Sequence, residues 1–460
     1  MLSRPAQRTS PFRRLLLPLL VLAAIAVIIG WARVGAPPQV EITPEKPGLG
    51  VATPVQVTVQ APGRGVSTVA VELVQGESTW PLAEIEAKPR PWWRFWGEYT
   101  PEKTLDLTVG RQQLPELREG EATIRVIAGR APTWLRHPAP VVTEKTLPVR
   151  LRPPSLDLVS TPNYADQGGS GLVVYRVGEG AVRDGVRAGD RWFSGYPVPG
   201  DEALHFALFG VPYDLEEAAK VVLEVEDEVG NRADRPFLDA FKVHPLKHDT
   251  IRLDDAFLGR VVPAIQAETP DLVPSGDLLA DYLKINGDLR AANAAELVKL
   301  GESSAHELLW HGAFEQMPNS QVMSTFADRR TYVYQDRDVD HQDHLGFDLA
   351  SVRAAPVPAS NAGVVVLARY FGIYGRTVVV DHGYGLMSLY AHLSRIEVTD
   401  GQKVDRGEVL GRSGQTGLAG GDHLHFTLLI HGLPVNPVEW WDGRWIERRI
   451  LGPLQTAENS

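Results

Sequence analysis

The sequence predicts a mainly β chain. An antiparallel β domain fills the C-terminal third, two β-sandwich modules precede it, a small helical segment lies between, and a single apolar helix opens the chain. Three observations predict this class. Runs such as Val55-Gln56-Val57-Thr58-Val59 alternate apolar and polar residues with period two, as a half-buried strand does. Clusters of Gly, Pro and Asp separate those runs at turn spacing. Helical spacing is confined to a charge-free stretch at 15–32 and to a segment near 248–301.

At the N-terminus, Arg4, Arg8, Arg13 and Arg14 form a basic flank within 1–14, and 15–32 carry no charge. Eighteen helical residues rise about 27 Å, close to the hydrocarbon thickness of a bilayer. Pro18 falls in the first turn, where the missing N–H does no harm. A transmembrane signal anchor at 15–32 follows, with its basic flank cytoplasmic and the rest exported. The expected location is therefore the cell membrane, single-pass, with the C-terminal domain periplasmic or extracellular. A cleaved signal peptide is the rival. Val34-Gly35-Ala36 offers small residues, but Pro37 is a poor neighbour for cleavage and the apolar run exceeds a usual signal core.

Residues 33–53 are rich in Pro and Gly and read as a tether. A β-sandwich-like module is expected over 54–152, with further strands at Val69-Ala70-Val71-Glu72-Leu73, Leu105-Asp106-Leu107-Thr108-Val109 and Thr123-Ile124-Arg125-Val126. Arg152-Pro153-Pro154 marks its end, because paired prolines cannot continue a ladder. A second module is expected over 153–247, from Leu172-Val173-Val174-Tyr175 and Val221-Val222-Leu223-Glu224-Val225. Asp227-Glu228-Val229-Gly230-Asn231 after the latter resembles a turn of bacterial immunoglobulin-like modules. Such modules serve as spacers, wall binders or docks for an envelope protein partner. Trp92, Trp93 and Trp96 form an aromatic cluster that suits a glycan, a partner, a sandwich core or a membrane-proximal anchor.

The helical segment is expected over 248–309. Asp254 and Asp255 suit a helix start, and Leu278, Leu279, Tyr282 and Leu283 recur at helical spacing. It serves either as packing or as a cap on a cleft. Strand character returns over 310–450 in Val364-Val365-Val366-Leu367, Thr377-Val378-Val379-Val380 and Phe426-Thr427-Leu428-Leu429-Ile430, ahead of a tail at 451–460.

Composition narrows the chemistry. A formal charge of −11 argues against general nucleic-acid binding. With no cysteine there are no disulfides, no thiolate metal sites and no cysteine nucleophile. Imidazoles and a carboxylate instead gather in three apolar patches: His344-Leu345-Gly346-Phe347-Asp348, Tyr390-Ala391-His392-Leu393 and Asp422-His423-Leu424-His425-Phe426. On a strand His423 and His425 share a face, and residues four apart, such as His344 and Asp348, also share one. Zinc takes imidazole and carboxylate and leaves one position open in a catalytic site. His344, Asp348 and one of His392, His423 and His425 would fill three positions, leaving two histidines for the substrate. Tyr332, Tyr334, Tyr374 and Tyr384 are candidates to line a cleft.

These patches resemble the lysostaphin/LytM-type zinc endopeptidases that cut peptidoglycan, over about 343–442. The resemblance extends to Asp381-His382-Gly383-Tyr384-Gly385, similar to the family's H-G-x-G turn, and to Gly414-Gln415-Thr416-Gly417, similar to its glycine-rich turn. It implies an antiparallel sheet with a zinc cleft, the duplicated hybrid motif fold, and one zinc per chain. His344, Asp348 and His425 match the metal ligands, and His392 and His423 the catalytic histidines. Where the family often has Glu after H-L-H-F, this chain has Thr427. The implied function is a membrane-anchored zinc metalloendopeptidase acting on stem peptides or cross-links of peptidoglycan. The alternative is a non-catalytic or weakly catalytic envelope regulator that docks and activates another cell-wall hydrolase.

Overall fold

A computed structural model describes residues 11–458, with side chains from Leu16 to Ala457. Of the basic flank, Arg4 and Arg8 lie outside the described residues, and Arg13 and Arg14 fall in the helix Pro11–Ala32 ahead of the first described side chain. The chain divides into two compact units, Met1–Pro153 with Glu226–Arg232, and Pro154–Val225 with Ala233–Ser460.

The first unit contains the helix Pro11–Ala32 and two antiparallel sheets. Among the described residues no helix is long and apolar enough to cross a membrane. One sheet orders Gln39–Pro44, Thr53–Gln60 and Glu102–Val109; the other orders Ser78–Glu86, Thr68–Gln75, Gly120–Ala128 and Val141–Val149. Alternation decides which face is buried. Val55, Val57 and Val59 of one sheet and Val69, Val71 and Leu73 of the other enter a shared core, each worth about 1.5–3 kcal/mol on burial. The tether expected over 33–53 differs, because Gln39–Pro44 pairs with Thr53–Gln60 as a strand.

The second unit does not separate into independent modules. Strands of the 153–247 region share one core with the C-terminal domain, including Phe209, Leu433, Val435 and Trp440. A Cβ on Gly210 would meet Val435 at 2.8 Å, and Trp440 Nε1 donates to Ser170 Oγ at 2.9 Å. Within the expected helical segment, Asp255–Ala267 starts where the Asp254 carboxylate accepts from Phe257 N, and Leu278–Lys284 starts on Asp277. The segment also begins with a strand, His248–Leu253, which pairs in parallel with Asp328–Tyr334. The helices bury Leu258, Val261, Val262 and Tyr282 against Tyr332 and Ile373. The expected tail contains a helix, Gly452–Glu458.

An eight-stranded antiparallel sheet positions the site. Its order is Gln321–Ser324, Phe347–Ala350, Leu424–Ile430, Leu386–Leu393, Arg376–Gly383, Gly363–Tyr370 and Lys403–Val404, with Leu433–Val435 paired to Leu424–Ile430. Phe347, Leu349, Tyr390, Leu424, Phe426 and Leu428 enter the main core. Leu389, Ala391 and Leu429 belong to a separate cluster. By period two, Asp348, His425 and Thr427 share that second face.

Candidate metal centre

His344, Asp348 and His425 each direct one ligand atom at a common point. His344 Nε2 lies 3.0 Å from Asp348 Oδ1 and 3.0 Å from His425 Nδ1, and His425 Nδ1 lies 3.0 Å from Asp348 Oδ1. Ligands about 2.0–2.1 Å from a tetrahedral zinc sit about 3.3 Å from each other, so the triangle is close to the right size. His425 and Asp348 are cross-strand partners. His344 arrives differently from the face-sharing expectation. It ends Arg337–His344, a strand of a separate three-stranded sheet, and the chain breaks at Leu345-Gly346 before Phe347–Ala350 begins. Gly346 permits that break to run against the site: a Cβ there would fall 2.6 Å from His425 Nε2 and from Thr427 Oγ1.

Two hydrogen bonds fix the imidazole tautomers. His344 Nδ1 donates to the Thr325 carbonyl at 2.9 Å, which leaves the Nε2 lone pair facing the centre. Thr427 Oγ1 donates to the Leu345 carbonyl at 3.0 Å and so accepts from His425 Nε2 at 3.0 Å, leaving Nδ1 as the ligand atom. The carbonyl of Thr325 is itself held, because Thr325 N and Oγ1 donate to the buried Asp328 carboxylate at 3.0 and 2.7 Å. Arg330 Nη2 donates to Asp348 Oδ2 at 3.2 Å and leaves Oδ1 for the centre. Two imidazole lone pairs and a carboxylate oxygen aimed at one point suit a cation, and partners that orient such ligands set affinity.

His392 and His423 stand beside this triangle. Their rings lie 4.9 Å apart, and His392 is 5.7 Å from the His425 ring. Strict alternation along Leu386–Leu393 would send His392 towards the main core, since Ala391 faces the site. A left-handed backbone at His392, φ +62°, breaks the alternation at the strand's end. Such a conformation is uncommon for a residue with a side chain and is held by its surroundings. His392 Nδ1 donates to the Thr416 carbonyl at 2.8 Å, and His423 Nδ1 to the Gly421 carbonyl at 2.9 Å. Each therefore keeps Nε2 for the cleft. His423 Nε2 is 3.5 Å from Asp348 Oδ1.

Burial and charge tune these groups in opposite directions. Burial alone would raise the Asp348 carboxyl, but the imidazoles of His344, His423 and His425 packed around it hold it well below the usual carboxylate range. Burial lowers His392 well below the usual imidazole range, with His423 and His425 adding to the effect. Burial also lowers His425, to about 4. For His423 the Asp348 carboxylate outweighs burial, and the net shift is upward.

All five histidine and aspartate positions singled out in the sequence thus converge. Among the four tyrosines, Tyr374 lies beside the site, its ring tilted 45° to that of His425 and 5.7 Å from it. Tyr332 packs against Tyr282, Tyr334 donates to Asp255, and Tyr384 joins Tyr196 and Phe206 instead. Arg330 and Thr325 act at the site without any prior sign in the sequence, and Thr416 lies in the turn Gly414-Gln415-Thr416-Gly417 that the sequence marked without giving it a role. Thr427 was visible there, as the residue two beyond His425.

Residues 342–437 match a family profile described as Peptidase family M23. The chain is 40% identical over 130 residues to peptidoglycan DD-endopeptidase ShyA of Vibrio cholerae, covering 28% of this chain and 30% of that protein. It is 44% identical over 95 residues to DD-carboxypeptidase/endopeptidase Mpg of Neisseria meningitidis, covering 21% of this chain and 22% of that protein. The matches therefore span less than a third of the relatives' own lengths. Among solved structures, the catalytic domain of lysostaphin from Staphylococcus simulans is 23% identical, with a TM-score of 0.25, over 28% of this chain and 98% of that chain.

Proposed function

We infer, from the premise that residues 342–437 are a domain of peptidase family M23, that the chain is a membrane-anchored zinc endopeptidase that hydrolyses peptide bonds in peptidoglycan. The observation that carries this reading is the triangle of His344, Asp348 and His425 with both imidazole tautomers fixed from behind. Zinc held by those three residues would polarise the scissile carbonyl and acidify a water towards neutral pH. His392 Nε2 and His423 Nε2 are the free imidazole positions at the cleft, one to accept a proton and one to stabilise the developing oxyanion or the leaving amine. Thr416 and Gly421 accept from Nδ1 of the two rings, so Nε2 is the proton-accepting position and becomes a donor to an oxyanion once it is protonated.

One relative is named a peptidoglycan DD-endopeptidase and another a DD-carboxypeptidase/endopeptidase, and this supports cross-link peptides as the substrate class. The charge-free run at 15–32 supports an N-terminal anchor, which would put the catalytic domain outside the cytoplasm, where the polymer lies.

The test is digestion of purified sacculi by the zinc-loaded protein, followed by mass spectrometry. Cross-linked dimers should fall to monomers with glycan chains intact, and a His423→Ala protein should leave the dimers untouched. Released sugars, or unchanged dimers with casein degraded, would sink the reading. Protease added to spheroplasts should cut the C-terminal domain; protection of that domain would refute the topology.

A further inference from the structure

We propose that the loops 87–101 and 129–140 of the first unit, with the end of the helix Pro11–Ala32, form an aromatic and arginine collar that seats in the headgroup layer of an anionic phospholipid bilayer. The proposal deepens the membrane-anchored reading and names the surface by which the folded chain would meet the lipid.

Both loops grip the helix end. Thr133 Oγ1 donates to the Gly30 carbonyl at 2.7 Å, Arg136 Nη1 to the Trp31 carbonyl at 3.4 Å, and Arg33 Nη1 to the Arg94 carbonyl at 2.9 Å. Arg130 Nη2 donates to the Gly35 carbonyl at 2.9 Å. A Cβ on Gly30 would fall 2.6 Å from Trp134 Nε1, so the loop rests directly on the helix. The Trp92 and Trp134 rings, one from each loop, lie 6.1 Å apart.

This end of the unit exposes what a soluble sandwich buries. Trp31, Trp93, Phe95, Trp96 and Trp134 are all more than half exposed. Exposed aromatic patches of this kind mark interaction surfaces. Three features select lipid as the occupant. The patch is continuous with the exposed Leu16, Leu17, Leu19, Leu20 and Leu22 of the same helix, so whatever covers one meets the other. Trp pairs an apolar body with an N–H donor and is enriched at the headgroup level.

Charge is the third feature. In a chain of net charge −11, these segments carry Arg33, Lys88, Arg90, Arg94, Arg130 and Arg136, against Glu98 as their one acidic residue. Basic side chains are drawn to an anionic membrane surface. Among the described residues these arginines hold carbonyls and aromatic faces: Arg33 lies 4.1 Å over Phe95, and Arg136 lies 4.8 Å over Trp31. A guanidinium placed so is free to meet phosphate on its outer edge.

The chain has no cysteine, so single-cysteine labelling of the full-length protein is clean. Trp96→Cys and, as a second reporter, Trp93→Cys would carry an environment-sensitive fluorophore in vesicles of phosphatidylglycerol and phosphatidylethanolamine with spin-labelled lipid as quencher. Glu77→Cys is the control, at the far end of the strand Thr68–Gln75, about 23 Å away. Leu22→Cys reports the helix. The expected result is several-fold stronger quenching at Trp96 and Trp93 than at Glu77, weakened when phosphatidylcholine replaces the anionic lipid. Quenching at Leu22 with none at Trp96 or Trp93 overturns the collar and leaves the anchor standing. Quenching at Trp96 without Leu22 supports the collar and refutes the anchor. No quenching at either overturns both.

Discussion

Replacing Thr427 with valine should weaken metal binding about 10–100-fold, the usual effect of losing a partner that orients a ligand. The structure explains both the direction and the size. Thr427 is 2% exposed, and its hydroxyl accepts from His425 Nε2 while donating to Leu345 O, each at 3.0 Å. Valine keeps the volume and the β-branched fit to the strand, so the sheet is retained. What is lost is the acceptor that keeps the proton on Nε2 and the lone pair on Nδ1. A buried N–H left without a partner costs about 1–3 kcal/mol, which brackets the ~1.4–2.7 kcal/mol of a 10–100-fold change. The assay is competition for zinc against a chromophoric chelator near neutral pH. Thermal unfolding with and without excess zinc provides a second reading, because a weaker site lowers the zinc-induced rise in Tm. Thr427→Ser keeps the hydroxyl and should recover most of the affinity. If Thr427→Val titrates with the wild type, or Thr427→Ser does no better than valine, the assigned tautomer is wrong.

Three further outcomes are expected. His344→Ala or His425→Ala should lose metal, whereas His392→Asn, which tolerates the left-handed backbone, should keep metal by elemental analysis and lose turnover; the reverse pattern would reassign the roles. Gly346→Ala puts a methyl 2.6 Å from His425 Nε2 and Thr427 Oγ1, so about 1–3 kcal/mol of overpacking should appear as lost zinc affinity, measured by the same competition; an unchanged affinity would show that the turn yields freely. Burial raises Glu439 from 4.5 to about 8, opposed by its bonds from Ser170 N and Oγ. The folded chain then keeps a proton that the unfolded chain releases, so its stability contribution is full below about pH 4.5 and is lost as pH rises through about 8, by up to ~5 kcal/mol. Glu439→Gln should flatten that slope in urea unfolding, and an unchanged slope would refute the assignment.

The sequence by itself determined the site's chemistry and the strands that carry it. Histidine and aspartate at His344, Asp348, His392, His423 and His425 lie within or beside apolar runs, and imidazole and carboxylate are groups that hold a metal or move a proton. Val55–Val59 was legible by its period-two alternation, because one buried face imposes its period, and Phe426–Ile430 by its apolar run, because both of its faces are buried. Tertiary structure decided how those residues meet. His344 and Asp348 converge across a chain break between two sheets, and His392 turns to the site through a left-handed backbone; neither follows from spacing. Arg330, Thr325 and Thr416 reach the site through strand pairing and loop closure, and the parallel pairing of His248–Leu253 with Asp328–Tyr334 joins segments far apart in the chain. Local periodicity records which face of an element is buried. It does not record which distant element lies against that face, because that choice is made by the packing of the whole unit.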